Sequence, residues 1–376
     1  MNKIRVFTAF SGYDSQCIAL DRIKRDYPDL FDYELIGWSE IDKCAINAHN
    51  TLFPKSVDKN FGDISKINWF EVPDFDLFTY SFPCQDISIG GFRKGLEEGT
   101  GTRSSLLWEC RKTVEIKRPK YLLMENVDQI LSKTHKKNFD KWCKVLEGYG
   151  YRNFYKMLNS MDYGVPQSRK RVFMVSILGD EWFDFPKEFK LKKCLLDIVE
   201  KDIPDEEYFS KETITEMFKY AIEKNPVGCR FNNIHLKEPQ VLKKRRTDEE
   251  KLRRHNFGDK GAKFRSGAKY YDIGENCCAN TVTTVMKDNI LIEPKADNEG
   301  VKITLDNIDQ YIKVRNFTPR ENFRLMDVDD EDIDKIMSVT PKSQCLKLAG
   351  NSIVVSVLYH IFKKMFIEKS YKISLF

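Results

Sequence analysis

The sequence predicts an α/β protein, a mixed and mostly parallel sheet flanked by helices, with a second and smaller domain after it. Three observations predict this. Short β-rich apolar runs alternate with helical segments through the first half of the chain; the alternation stops near residue 190; and helical periodicity returns after about residue 313. A chain of 376 residues has room for two ordinary domains, or for one large domain with a sizeable insertion.

The strand-like runs are "IRVFTAF", "YELIGWSE", "DLFTYSF", "YLLMENV", "NFYKMLNS" and "KRVFMVSIL". Between them, "SQCIALDRIKRDY", "DKCAINAHNTLF", "SSLLWECRKTVEIKR" and "NFDKWCKVLEGYG" carry apolar residues at three- and four-residue intervals and read as helices. Only "SMDYGVPQSR" separates the last two strands, which suits an antiparallel hairpin at the end of the sheet. Residues 190–310 are charged and poorly periodic, with "CCANTVTTVMKDNILIEP" as their clearest β-like piece. "PRENFRLMDV" and "NSIVVSVLYHIFKKMFIEK" then regain helical spacing suited to packing back onto the first domain. The resulting division is 1–188, 189–312 and 313–376.

Apolar residues at 41% and charged residues at 32% describe a soluble globular chain. No apolar run is read as approaching the roughly 18 residues of a membrane helix, and "MNKIRVFTAFSG" lacks a signal peptide's features. A cytoplasmic protein without a membrane partner is expected. The ten cysteines form no C-x-x-C pair and the five histidines show no ligand spacing with them, so reduced thiols and no metal are expected. Net charge is +5, but residues 241–271 alone hold eleven Lys and Arg against four Asp and Glu. With Phe257, Phe264, Tyr270 and Tyr271 interleaved, that stretch suits phosphate contact; a solvated helical face followed by a loop explains it equally well.

In an open parallel sheet, reactive groups gather at the carboxyl ends of the strands. Gly12 in "FSGYDS" follows strand one, Glu40 ends strand two, Pro83, Cys84 and Gln85 follow strand three, and Glu125 to Val127 end strand four. A small-residue turn and an acid at the second strand suit an adenosine-type cofactor, although singly each is also an ordinary turn or surface acid. Cys84 follows a proline where an apolar run stops, ahead of polar residues and glycines that cannot pack a core. Chemistry and a small hydrophobe at a strand tip both fit that position. Glu125 ends an apolar strand, where desolvation would push a carboxyl pKa upward. A thiolate beside such an acid can add to an electron-poor ring, while a helix-capping role for Glu125 stays open.

With these residues in place, the chain resembles the DNA cytosine-5 methyltransferases over nearly its whole length. "PCQ" (83–85), "ENV" (125–127) and "QSRKR" (167–171) resemble the family's three catalytic motifs, and "RNFTPRENFRL" (315–325) and "AGNSIVVSVL" (349–358) its last two, all in the family's order. The resemblance implies a Rossmann-like S-adenosylmethionine-dependent methyltransferase fold with a smaller target recognition domain. It implies methyl transfer to C5 of a flipped-out cytosine in double-stranded DNA, leaving S-adenosylhomocysteine. Cys84 would add to C6, with Gln85 in the catalytic set. Glu125 would contact N3 and the exocyclic amine, and Arg169 and Arg171 would bind the base. The segment from Gln85 to about Arg103 would close over it.

For the cofactor, the similar positions are Phe10, Gly12 and Tyr13 in the first turn, Glu40 on the ribose, and Ile41 against the adenine. Asp63, Ile64, Pro83 and Leu107 would line the pocket, with Asn351, Ser352 and Val354 closing it. Where the family usually shows F-x-G-x-G-G, this chain reads "FSGYDS". For DNA, the resemblance points to Lys243, Lys244, Arg245, Arg246, Arg253 and Arg254 in the basic stretch and to Thr281 and Thr283 in "NTVTT". Two rivals are an RNA-directed branch of the family and a catalytically silent binding relative. Against the first, "IDQYIKVRNFTP" lacks that branch's Cys-Phe-Thr element; against the second, Cys84, Glu125 and Arg171 are intact. A monomer is expected, and a partner restriction endonuclease is compatible with the sequence but not readable from it.

Overall fold

The computed structural model describes residues 3–83, 103–189, 191, 193–224, 239–246, 269–273, 279, 281–282, 290–295, 299–305 and 308–368. Six strands form the first sheet: β1 (Ile4–Ala9), β2 (Tyr33–Ser39), β3 (Leu77–Tyr80), β4 (Tyr121–Val127), β5 (Tyr151–Asn159) and β6 (Lys170–Leu178). Their spatial order is β2-β1-β3-β4-β6-β5. The first four are parallel, and β6 runs antiparallel to both β4 and β5, giving the hairpin that the short connection predicts.

Period-two alternation builds two cores, one on each face. Val6, Leu77, Leu123, Phe173, Val175 and Ile177 point to one face, where Ile18, Leu20 and Ile23 of α1 (Ser15–Asp26) and Ala45 and Ala48 of α2 (Lys43–Leu52) meet them. Phe7, Phe78, Leu122, Met124, Val172 and Met174 point to the other. There they meet Cys110 and Val114 of α3 (Glu109–Lys117) and Phe139, Trp142 and Leu146 of α4 (Lys136–Gly148). Both faces being covered explains why these strands read as continuous apolar runs.

Helix α5 (Lys211–Lys224) precedes a second, antiparallel sheet of β7 (Gln240–Arg246), β8 (Lys269–Ile273), β9 (Ile290–Lys295), β10 (Val301–Leu305) and β11 (Ile308–Asn316), in the order β10-β11-β9-β7-β8. Ile214 and Phe218 of α5 pack on Leu242, Ile290, Ile292, Ile303, Ile312 and Val314. The alternate residues Val241 and Leu291 face the other way and join the first core. The region therefore holds more regular structure than its sequence suggests. Its basic stretch begins on a strand, not on a helical face, because the charged run "KKRR" hides the alternation of β7.

The chain then returns through α6 (Pro319–Leu325), α7 (Asp330–Val339), α8 (Lys342–Asn351) and α9 (Val355–Phe366). Lys342–Phe366 is long and apolar enough in composition to pass for a membrane span, although polar residues break its apolar run. It is interrupted at Ser352–Val354, and Val355, Val357, Leu358, Ile361 and Phe362 are buried in the first core, so its apolarity is that of a core element.

One buried cation fastens the second sheet to this return. Arg315, one residue before the end of β11, has no exposed surface. Its Nε donates to Glu293 of β9 at 2.7 Å, and its two Nη atoms donate to the carboxylate of Glu321 in α6 at 2.7 and 2.8 Å. The same Glu321 closes a capping box with Thr318 at the start of α6. Removing one member of a buried ion pair strands the other charge, at roughly 3–5 kcal/mol. Arg315→Ala should lose about that much stability, as read by urea unfolding. Glu293→Gln, which keeps an acceptor, should lose less.

Candidate active site

A cavity of about 620 Å³ opens at the carboxyl ends of β1 to β4, where the strand order reverses between β1 and β3. Its volume lies within the roughly 300–1,000 Å³ usual for small-molecule sites. Four pieces of chain wall it.

The first is the turn from β1 into α1. Phe10, Gly12 and Asp14 all take left-handed backbone conformations, at φ of 55°, 60° and 68°. Ser11 anchors the turn, its amide donating to the Ser39 carbonyl at 3.2 Å and its hydroxyl to the Thr8 carbonyl at 2.9 Å. A Cβ on Gly12 would meet nothing within 4 Å, so at Gly12 the backbone stands open to the cavity it lines. Tyr13 packs edge-on against Phe323, and burial pushes its phenol pKa up.

The second wall follows β2. Glu40 Oε2 accepts the Gly12 amide at 3.0 Å, and Oε1 accepts the amides of Ile41 and Asp42 at 2.7 and 2.8 Å. The acid thus holds both the first turn and its own, and its carboxylate remains on the cavity wall. Ile41, 70% exposed, offers an apolar face beside it. Asp63 and Ile64 complete this side; the Ser65 hydroxyl, donating at 2.8 Å, holds the Asp63 carboxyl below the usual carboxylate range.

The third wall joins β3, β4 and β6, and here strand register sets the chemistry. Glu125 stands opposite Phe173 and Val127 opposite Arg171, so Glu125 and Arg171 are diagonal neighbours on one face of the antiparallel pair. Arg171 Nε lies 3.2 Å from Glu125 Oε1. The Ser81 hydroxyl, one residue beyond β3, donates to Glu125 Oε2. Asn126 Nδ2 donates to the Phe82 carbonyl at 2.9 Å, fixing the two strand ends to each other just before Pro83. A nearly buried carboxylate is therefore held by a hydroxyl and a guanidinium, facing a cavity that Pro83 also lines.

The fourth wall is the joint between α8 and α9, contributed by Lys347, Leu348 and Gly350–Ile353. Lys347 reaches across to Asp42 at 2.5 Å, joining this wall to the second. Arg169, 4% exposed, lies beneath the joint. Its Nη2 donates to the carbonyls of Gly350 at 2.9 Å and Ser352 at 2.7 Å, and its Nη1 to Val282 at 2.6 Å.

The cavity brings together Phe10, Gly12, Tyr13, Glu40, Ile41, Asp63, Ile64, Pro83, Glu125, Arg169, Arg171, Asn351 and Ser352. Leu107 and Val354 lie instead in the hydrophobic cores, and their neighbours Leu106 and Ile353 line the cavity in their place. Cys84, Gln85, Arg253, Arg254 and Thr283 lie outside the described residues. Lys243, Lys244, Arg245 and Arg246 are placed on β7 by their backbone. Thr281 donates its hydroxyl to the Ser168 carbonyl at 2.8 Å. Sequence reasoning placed Asn126 at the crevice only as part of "ENV", and missed Ser81, Gln16 and Lys347. For Ser81 the signal was present, as a polar residue ending the apolar run of β3.

Solved structures with this architecture include an Entamoeba histolytica methyltransferase, EhMeth, with a TM-score of 0.64 at 14% identity, covering 99% of this chain and 100% of the other. A second is the S. pombe Dnmt2 methyltransferase, at 0.60 and 18%, covering 97% and 99%. At such identities these likenesses define the fold alone, a Rossmann-like methyltransferase fold. The sequence carries the class further. The family model for C-5 cytosine-specific DNA methylases matches residues 4–367, and the chain belongs to that family and is a DNA cytosine-5 methyltransferase. Among its relatives, the type II methyltransferase M2.ScrFI of Lactococcus lactis subsp. cremoris is 32% identical, over 96% of this chain and 99% of the relative. The orphan methyltransferase M.SssI of Spiroplasma monobiae is 31% identical over 58% and 69%.

At φ of +60° a side chain carries a backbone penalty of about 1–2 kcal/mol, and a Cβ at Gly12 would enter the cavity. Gly12→Ala should therefore fold with that loss of stability, as read by thermal unfolding.

Proposed function

We propose that the protein transfers a methyl group to C5 of a flipped-out cytosine in double-stranded DNA, through a covalent bond between Cys84 and C6. The observation that carries this reading is the Glu125–Arg171 pair, fixed on the wall of a cavity also lined by Pro83, the residue that Cys84 follows in the chain. S-adenosylmethionine, when bound, supplies an electrophilic methyl group. The residues that suit it are Gly12 for close approach, Glu40 and Asp63 as acceptors, Ile41 and Ile64 as apolar faces, and Asn351 and Ser352 on the facing wall.

The chain's own residues do the rest. The Cys84 thiolate forms a bond to C6 of the ring, and the ring electrons move to C5. Glu125 holds N3 and the exocyclic amine, and Arg171 stabilises charge growing on the ring carbonyl. After C5 is methylated, loss of its proton and departure of the Cys84 sulfur restore the aromatic ring and the free thiolate. Because this chemistry needs access to both ring faces, the base must leave the duplex. Residues 189–312 serve as the recognition domain in this reading. The strand that carries Lys243 to Arg246 offers phosphate contacts, and Thr281 lies next to the catalytic strand. The relatives include type II and orphan methyltransferases from bacteria and phages, so both a restriction system and solitary action are compatible.

The protein incubated with S-adenosylmethionine and mixed-sequence duplex DNA containing 5-fluorocytosine should form a denaturation-resistant adduct that maps to Cys84. Cys84→Ser should abolish the adduct and methyl transfer while retaining duplex binding. An adduct on fluorinated transfer RNA and none on DNA would move the substrate to RNA; turnover by the serine variant would remove the nucleophile assignment.

Each neutralised phosphate releases about one counterion, which sets the salt dependence of binding. Replacing Lys243, Lys244, Arg245 and Arg246 with glutamine should weaken duplex binding and make the slope of log affinity against log salt shallower, by up to about 0.9 for each phosphate no longer neutralised. An unchanged slope would return β7 to a plain solvated surface.

A further inference from the structure

The connection into β6 does more than deliver Arg171. Residues 166–169 lie alongside Ala279, Thr281 and Val282, and bond to them repeatedly. The Ala279 amide donates to Pro166 at 2.8 Å and the Ser168 amide to Ala279 at 2.9 Å. The Val282 amide donates to the Gln167 side chain at 2.9 Å, and the Thr281 hydroxyl to Ser168. On its other side Gln167 donates to the Leu325 carbonyl at 2.6 Å, at the end of α6.

Arg169 closes this arrangement. Its Nη1 holds Val282, 113 residues on in the chain, while its Nη2 holds Gly350 and Ser352, which line the cavity. A guanidinium is planar, and its Nη atoms cannot move independently. If the Val282 carbonyl shifts, the fork tilts and its bonds to Gly350 and Ser352 lengthen; if the cavity wall shifts, Val282 feels it. All three acceptors are backbone carbonyls, so a displacement moves chain and not merely a side chain. In a buried site these charge-assisted bonds are costly to leave unmade.

We propose that Arg169 is a positioning residue that couples the segment around Thr281, which the proposed function sets against DNA, to the cofactor wall at 350–352, so that cofactor and DNA each strengthen the binding of the other. This rests on the function proposed above, and it gives Arg169 a role distinct from direct contact with the base. Coupling is reciprocal by linkage. Cofactor seated against Gly350–Ser352 fixes the fork and pre-sets Val282 and its neighbour Thr281, and DNA held at Thr281 does the converse.

The test measures the dissociation constant of S-adenosylhomocysteine with and without a saturating duplex selected by the protein from a random-sequence library. In the unaltered protein the duplex should tighten binding about fivefold or more. In Arg169→Lys, which keeps the charge but presents a single point donor, the ratio should fall close to one. A ratio kept within about twofold of the unaltered protein's would overturn the proposal. A second measurement needs no variant: S-adenosylhomocysteine alone should slow hydrogen exchange at the Ser168 and Val282 amides, and unchanged exchange there would also overturn it. If the unaltered protein binds neither ligand, the methyltransferase reading fails together with this one. If it binds both without mutual effect, only the coupling fails.

Discussion

The position of the second sheet depends on one buried charge. Arg315 lies one residue before the end of β11, and its guanidinium is shared between Glu293 in the same sheet and Glu321 in the helix that leads back to the first core. Glu321 also receives the amides of Thr318 and Glu200 at 2.8 Å each, so one carboxylate fixes a helix start, an interior strand of the sheet and an incoming loop. Lys295 adds a second cation to Glu293 at 2.9 Å. A pair of this kind need not add much net stability, because desolvating both partners offsets the attraction. What it does supply is direction. Bidentate guanidinium geometry permits few orientations of β11 against α6, and a hydrophobic contact in its place would permit more.

That orientation reaches the cavity through packing. Alternate residues of β7 and β9 face opposite ways, Leu242, Ile290 and Ile292 into the small core and Val241 and Leu291 into the large one, so the second sheet is continuous with the body that bears the site. Ala279 and Val282 belong to the same large core and lie against the segment that leads to Arg169 and Arg171. A rotation of the sheet about Arg315 would therefore disturb the far wall of the cavity. The site is assembled from residues 10 to 353, and only its first three walls are local to the parallel sheet.

Which parts were legible in the sequence follows from this. Strand ends were, because a parallel sheet delivers them to one crevice whatever lies between; Gly12, Glu40, Pro83 and Glu125 stand out on that ground alone. Single-residue register was not. In "SLLWE" both leucines are apolar, and only the 3₁₀ turn Arg103–Trp108 decides that Leu106 faces the cavity and Leu107 the core. The same holds for Ile353 against Val354. The second sheet was largely hidden, since β7 carries its alternation in two residues before four consecutive basic ones. Least legible were the partners of Arg169, because backbone carbonyls 113, 181 and 183 residues away carry no identity that a sequence pattern can signal.

The departure at "FSGYDS" has a physical account. The turn needs a left-handed residue just before α1, a conformation costing most side chains about 1–2 kcal/mol but visited more readily by aspartate. Asp14 takes it at φ 68° and in return caps the helix, Oδ1 accepting the Cys17 amide at 3.1 Å. Such a cap contributes about 1 kcal/mol, comparable to the strain. Its other oxygen accepts the Thr8 hydroxyl at 2.7 Å and lies 3.4 Å from His49 Nε2, whose ring stacks on Trp38 with centroids 3.7 Å apart. The carboxylate is wholly buried and is not part of the cavity wall, which Ser15 and Gln16 line at the start of α1. An acid in place of a glycine thus adds no negative charge to the cavity surface. Asp14 supplies by hydrogen bonding the turn that a glycine supplies by conformational freedom, and Gly12, the one position where the backbone itself must stay bare, is kept.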